Sequence, residues 1–75
     1  MERFIFTFGQ NHVHEVDDIV LDKDCVAVIE AENHSVAREI AWVLFGPKFR
    51  TSYSEEAFDN GNCIKYFPRG KVELN

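Results

Sequence analysis

Hydrophobic and polar residues alternate strictly from Arg3 to Phe8, so that Phe4, Phe6 and Phe8 share one face of an extended chain and Arg3, Ile5 and Thr7 the other. This period predicts a half-buried strand, broken by Gly9-Gln10-Asn11. Cys25-Val26-Ala27-Val28-Ile29-Glu30-Ala31 is rich in β-branched residues and apolar on both faces until Glu30. It predicts a central strand antiparallel to the first. Residues 12–24 between them form a polar, acidic excursion. Within it Ile19-Val20-Leu21 is either a brief strand or a tether for the loop, and Asp22-Lys23-Asp24 reads as a turn.

A start signal, a helical period and a stop signal agree only from Asn33 to Pro47. Asn33 or Ser35 can accept hydrogen bonds from the free N–H groups of a first turn, Gly46 suits a left-handed end, and Pro47 prevents continuation. The helix is about three turns long. At 100° per residue, Val36, Ala37, Ile40, Val43 and Leu44 form its apolar stripe, and Trp42 lies on the far side with Arg38 and Phe45. Two arrangements of Trp42 are open: the aromatic C-terminal segment folds over it, or it stands exposed as an anchor for a partner, a role in which Trp is enriched.

After the helix, Lys48 to Tyr53 alternates loosely and predicts a third strand. Ser52 and Glu55 have capping-box spacing ahead of one helical turn over Ser54 to Phe58. Asn60-Gly61 suits a tight hairpin leading to a fourth strand, Cys63-Ile64-Lys65-Tyr66-Phe67, ended by Pro68. Lys71-Val72-Glu73-Leu74 is a short terminal strand or a tail. The order β-β-α-β-β implies an α+β fold, a three- to four-stranded antiparallel sheet with one main helix packed on one face.

Residues 1–75 make one domain, near the size at which a single core supplies only about 3–5 kcal/mol of net stability. Ten aromatic residues, seven of them Phe, compensate. No run of 18 apolar residues predicts a membrane span, and the N-terminal residues do not resemble a signal peptide, so a cytoplasmic location is expected. Cys25 and Cys63 sit in apolar runs and are expected to be reduced.

Charge separates the halves of the chain. Residues 1–35 hold eight acids (Glu2, Glu15, Asp17, Asp18, Asp22, Asp24, Glu30 and Glu32) against Arg3 and Lys23, a net charge of −6. Residues 36–75 hold five acids against six basic residues, a net charge of +1. Glu15, Asp17, Asp18, Asp22, Asp24, Glu30 and Glu32 are therefore candidates for a line of carboxylates facing a basic groove on another protein, with Trp42 as an apolar anchor.

Other chemistry is poorly supported. His12 and His14 would share one side of an extended segment, with Glu15, Asp17, Asp18 and His34 as further ligands, yet no second ligand pair stands at a fixed spacing. No metal or cofactor is expected. Neither cysteine lies in a nucleophile motif and no glycine-rich loop would cradle phosphate, so no catalytic residue is assigned. Lys48, Phe49, Arg50, Tyr53, Lys65, Tyr66, Arg69 and Lys71 mix cations with aromatics as nucleic-acid binders do. Overall acidity argues against direct nucleic-acid binding.

Phe6-Thr7-Phe8-Gly9-Gln10-Asn11-His12, followed by Ala37-Arg38, Phe45-Gly46, Tyr53, Phe58 and Tyr66-Phe67-Pro68-Arg69-Gly70, resembles a group of small proteins carried by bacteriophages and mobile elements. Phe49 stands where that group suggests Trp, and residues 14–24 fall in its variable loop. In size and acidity the chain is similar in kind to anti-CRISPR and other anti-defence inhibitors, some of which imitate DNA. The resemblance implies a non-enzymatic binder in the host cytoplasm, directed at a host defence protein or CRISPR effector subunit. A nucleic-acid-binding module and a phage structural protein that self-associates through sheet edges are the rivals.

Overall fold

The structure is a computed structural model that describes residues 1–9, 13–16, 18–47 and 49–74, with no account of the Val16 side chain. His12, Asp17 and Lys48, each named above as a candidate, lie outside the described residues. Among the described residues six strands, β1 (Glu2–Thr7), β2 (His14–Val16), β3 (Ile19–Leu21), β4 (Cys25–Ala31), β5 (Thr51–Ser54) and β6 (Gly70–Glu73), accompany two α-helices, α1 (His34–Phe45) and α2 (Glu55–Asn60). A 3-10 segment spans Cys63–Tyr66. No helix among the described residues is long and apolar enough to cross a membrane.

The expected α+β architecture holds: a four-stranded sheet ordered β5-β1-β4-β6 carries one main helix, and β2 and β3 form a separate hairpin. β1 runs antiparallel to β4, pairing Phe4 with Ile29 and Phe6 with Ala27, and antiparallel to β5 on its other side. The sheet is mixed rather than antiparallel throughout, because β6 joins β4 in parallel, with Cys25 opposite Gly70 and Val28 opposite Glu73. The fourth strand is thus the terminal one. The run from Cys63 to Phe67, expected as that strand, is instead a 3-10 turn over Cys63–Tyr66 that ends at Phe67. Asn60-Gly61 ends α2 rather than turning a hairpin: Gly61 donates its N–H to the Ala57 carbonyl, and Asn62 takes the left-handed conformation at φ 52°. A short apolar run has no period long enough to separate strand from helix.

Helix α1 begins where its cap predicts. The Asn33 side chain accepts a hydrogen bond from the Val36 N–H at 3.0 Å, and Gly46, at φ 61°, donates to the Trp42 carbonyl at 2.8 Å. Its buried positions differ from the expected stripe. Ala37, Ala41 and Phe45 face the sheet, Val36, Ile40 and Leu44 flank them, and Val43 is exposed. The two alanines let the helix axis approach the strands, and Phe45 then reaches the rings of Phe6 and Phe8, 6.5 Å and 5.1 Å between centroids. An edge-on aromatic contact fixes the rotation of the helix about its axis where the aliphatic period leaves it ambiguous.

Both faces of the central strands are covered, so β1 is not the half-buried strand its alternation suggests. Phe4, Phe6 and Phe8 pack under α1 with Cys25, Ala27 and Ile29. Ile5, Val26 and Val28 on the reverse face meet Phe58 of α2, with Cys63 and Phe67 beside it. Ser54, rather than Ser52, caps α2: its hydroxyl accepts from the Ala57 N–H at 3.2 Å. The third strand starts at Thr51, later than its expected beginning at Lys48.

The orientation of α1 makes opposed demands on neighbouring positions. Ala41→Leu should overpack the helix–sheet contact and cost about 1–3 kcal/mol. Val43→Leu should change stability by less than about 0.5 kcal/mol. Urea denaturation of the two variants measures both.

Candidate functional site

The outer face of α1 carries the largest apolar side chain that the fold leaves in solvent. Trp42 is 59% exposed and Val43 84% exposed. The C-terminal segment does not fold over Trp42; it forms β6 at the far side of β4, where Val72 and Leu74 join the core under α1. Trp42 and Val43 instead border a shallow concavity of about 450 Å³ with Arg38, Glu39 and Phe49. Phe49 is a fixed wall, because its ring packs edge-on against Phe6 at 5.3 Å and against Phe45 at 6.5 Å. A rigid aromatic wall beside an exposed Trp offers a partner a preformed apolar seat, which lowers the ordering cost of association.

The candidate carboxylates divide between the two ends of β4, a strand roughly 20 Å long at ~3.3 Å per residue. Glu15 and Asp18 are exposed on the β2–β3 hairpin, and Asp18 holds its turn at φ 68°. That hairpin is fastened to the C-terminal end of α1: the His14 Nε2–H donates to the Leu44 carbonyl, and the His14 ring meets Phe45 edge-on. Asp22 pairs with Arg69 at 3.1 Å and accepts the Asp24 N–H, while Asp24 pairs with Lys23 at 3.0 Å. Glu30 and Glu32 lie at the opposite end, next to the start of α1, and Glu30 is paired with Arg3 at 3.3 Å. Glu15, Asp18 and Glu32 are the exposed members of the set that make no ion pair among the described residues. The carboxylates therefore form no single line, and two of them, Asp22 and Glu30, pair with cations from distant parts of the chain.

The two described histidines are also kept apart. His34, first residue of α1, stacks on Phe4 at 5.0 Å and pairs with the Ser52 hydroxyl, Nε2 to Oγ 2.8 Å. His14, on β2, meets that helix at its other end, at the Leu44 carbonyl ten residues beyond His34 and roughly 15 Å along the axis. No group of three His, Cys, Asp or Glu residues suited to a metal occurs among the described residues. Cys25 and Cys63 are both free, and burial pushes the Cys25 thiol up.

The cation–aromatic set is broken up in the same way. Arg69 is paired with Asp22, Lys71 with Glu55 and Asp59, and Lys65 lies over the Tyr66 ring, 5.2 Å from its centroid. Arg50, Tyr53 and Tyr66 remain together on the α2 side of the sheet. On that side Arg3 is the hub of a charged network: its guanidinium donates to Glu55 at 2.9 Å, to both carboxylate oxygens of Glu73, and to Glu30. Lys71 extends the network from Glu55 to Asp59.

No protein-family model matches the chain, and no curated protein or solved structure matches it either. Function must therefore be argued from the surfaces just described. The sequence pattern did not place Val43 and Phe49 beside Trp42, because Val43 fits the apolar stripe equally well and Phe49, beyond the helix stop, reads as part of the cation–aromatic set. The signal that could have found Val43 was the pair of alanines at Ala37 and Ala41, whose small side chains mark the line of closest approach to the sheet.

Hydrogen bonds from Arg3 hold the carboxyls of Glu55 and Glu73 below the usual carboxylate range. Their unfolded forms take up protons more readily, so this stabilisation is fully present above about pH 4.3 and is lost as pH falls through the folded values. Arg3→Met should lower stability at pH 7 and flatten the acid limb between pH 5 and pH 3. Urea midpoints at pH 7, 5 and 3 measure both effects, and added salt should reduce them because the groups are partly exposed.

Proposed function

We propose that the protein is a phage-type inhibitor, anti-CRISPR-like in kind, which acts in the host cytoplasm by binding a bacterial defence protein or CRISPR effector subunit and occluding its nucleic-acid-binding surface. The observation that carries this reading is the exposed Trp42–Val43 pair beside the fixed ring of Phe49. An exposed tryptophan against a preorganised apolar wall is the arrangement in which a single side chain carries much of an interface.

The carboxylates have a narrower role here than a continuous imitation of DNA. Glu15 and Asp18 stand on the hairpin fastened to the C-terminal end of α1 at Leu44, two residues beyond Trp42. From there they steer the α1 face toward basic surface, while Trp42 and Val43 hold it once docked. Glu32, at the other end of the helix, adds to the steering field but is remote from the anchor. The protein supplies no reaction in this reading; it acts by filling space and opposing charge.

A tagged protein incubated in bacterial lysate, with and without nuclease, should retain a defence subunit irrespective of nuclease. The Trp42→Ala, Val43→Ser variant should lose it, since removal of a central anchor costs about 2 kcal/mol or more, roughly 30-fold in affinity. Trp42 is the single tryptophan, so a blue shift of its emission on complex formation reports burial directly. Glu15→Lys with Asp18→Lys should slow association and reduce its salt dependence while leaving dissociation nearly unchanged. Recovery of the protein alone, equal recovery by the anchor variant, or partners lost with nuclease would overturn the reading.

A further inference from the structure

A second concavity lies on the other face of the sheet from α1, between the end of β1 and the 3-10 segment. It encloses about 390 Å³, within the ~300–1,000 Å³ typical of small-ligand sites. The buried ring of Phe58 forms its floor. Tyr53 and Tyr66, 39% and 67% exposed, border it, and Lys23 and Arg50 bring cations to its rim. Among the described residues no carboxylate lines it, in a protein whose net charge is −5.

Glycine positions shape this cleft. A Cβ on Gly9, at φ 70°, would stand 3.1 Å from Cδ of Arg50. The bare backbone there lets the aliphatic stem of Arg50 lie across it, and the Arg50 N–H donates to the Thr7 carbonyl at 2.7 Å. The backbone and the stem of Arg50 are thereby placed. Its guanidinium makes no ion pair among the described residues, unlike Arg3, Arg69 and Lys71. Lys23 holds only an exposed pair with Asp24, which competes weakly with a bound anion. Cys63 forms part of the wall, and a Cβ on Gly61 would meet its sulfur at 3.1 Å.

We infer that this cleft binds a nucleoside phosphate, its base against the tyrosine rings and its phosphate on the guanidinium of Arg50 with Lys23 beside it. A planar guanidinium presents its donors in a fork that matches phosphate oxygens, and an aromatic ring accepts any base by its π-face. The volume admits one nucleotide unit. That unit is either a free nucleotide or one residue of a single strand, and both present the same chemistry to the cleft. The site is on the opposite side of the sheet from Trp42 and does not depend on the protein-docking reading.

Amide chemical shifts of the full chain titrated with UMP, GMP and an eight-residue oligothymidylate test the assignment. Shifts should cluster at residues 50–53 and 63–67, leave the outer face of α1 unmoved, and weaken with salt. Arg50→Gln and Tyr66→Ser, both at exposed positions outside the core, should each weaken binding roughly tenfold or more, the loss expected of a charge-assisted contact or a stacked base. Bound ligand should also slow alkylation of Cys63 by iodoacetamide, with buried Cys25 as the internal control. Saturation by a mononucleotide with no gain from the oligomer identifies the free nucleotide as the source; tighter binding of the oligomer identifies the strand. Absence of shifts with all three ligands at millimolar concentration, shifts lying elsewhere, or unchanged affinity in both variants would overturn the proposal. Trp42→Ala should bind nucleotide as the wild type does, so loss of the docking function and loss of this site are separable.

Discussion

The β1–β4 pair is apolar on both faces, and that double demand shapes the molecule. Phe4, Phe6 and Phe8 point one way from β1 and Ile5 the other, while β4 contributes Ala27 and Ile29 to the first side and Val26 and Val28 to the second. Seventy-five residues must therefore provide two covers rather than one. The first is α1, crossing from β4 to β5; the second is α2 with the 3-10 segment, crossing from β5 at one edge to β6 at the other. Each crossover delivers a strand to an edge of the sheet. The order β5-β1-β4-β6 follows from where the covers must lie.

The consequences for surface chemistry are direct. Because α1 seats small residues on the sheet and uses Phe45 as its terminal wedge, its larger neighbours Trp42 and Val43 are turned outward. Because α2 is only six residues long, it covers Ile5, Val26 and Val28 but leaves the end of β1 open beside Tyr53 and Arg50. One exposed apolar seat and one cationic cleft thus arise on opposite sides, the first from the rotation of α1 and the second from the shortness of α2. The charged network around Arg3 closes the other end of the α2 face, where Glu30, Glu55 and Glu73 converge.

Elements with a long period or a defined cap were legible in the sequence. β1, β4 and α1 appear within one or two residues of their expected places, and Asn33 caps α1 as its side chain predicts. Context decided the rest. The run from Cys63 to Phe67 carries a strand-like composition but follows Asn62 in a left-handed conformation and packs on Phe58 as a helical turn. Val43 and Phe45 exchanged their expected roles because aromatic packing against Phe6 and Phe8 outweighed the aliphatic period. Trp42 could be singled out as a candidate by its position opposite the stripe. The division of the carboxylates could not, since it depends on which of them meet Arg3 and Arg69 across the fold.

The parallel pairing of β4 with β6 bears on how the chain folds as it is made. Val26 and Val28 lie at the middle of the sheet, yet the ladder on one side of their strand is completed only by residues 70–73. The cover over the same side chains comes from Phe58, Cys63 and Phe67. A nascent chain ending anywhere before these residues presents a hydrophobic central strand with one edge unpaired and one face bare, the combination that invites misassociation. The ladder and the cover of β4 are thus completed only by residues from the last quarter of this sequence, which makes that stretch the guard of the central strand as well as its partner.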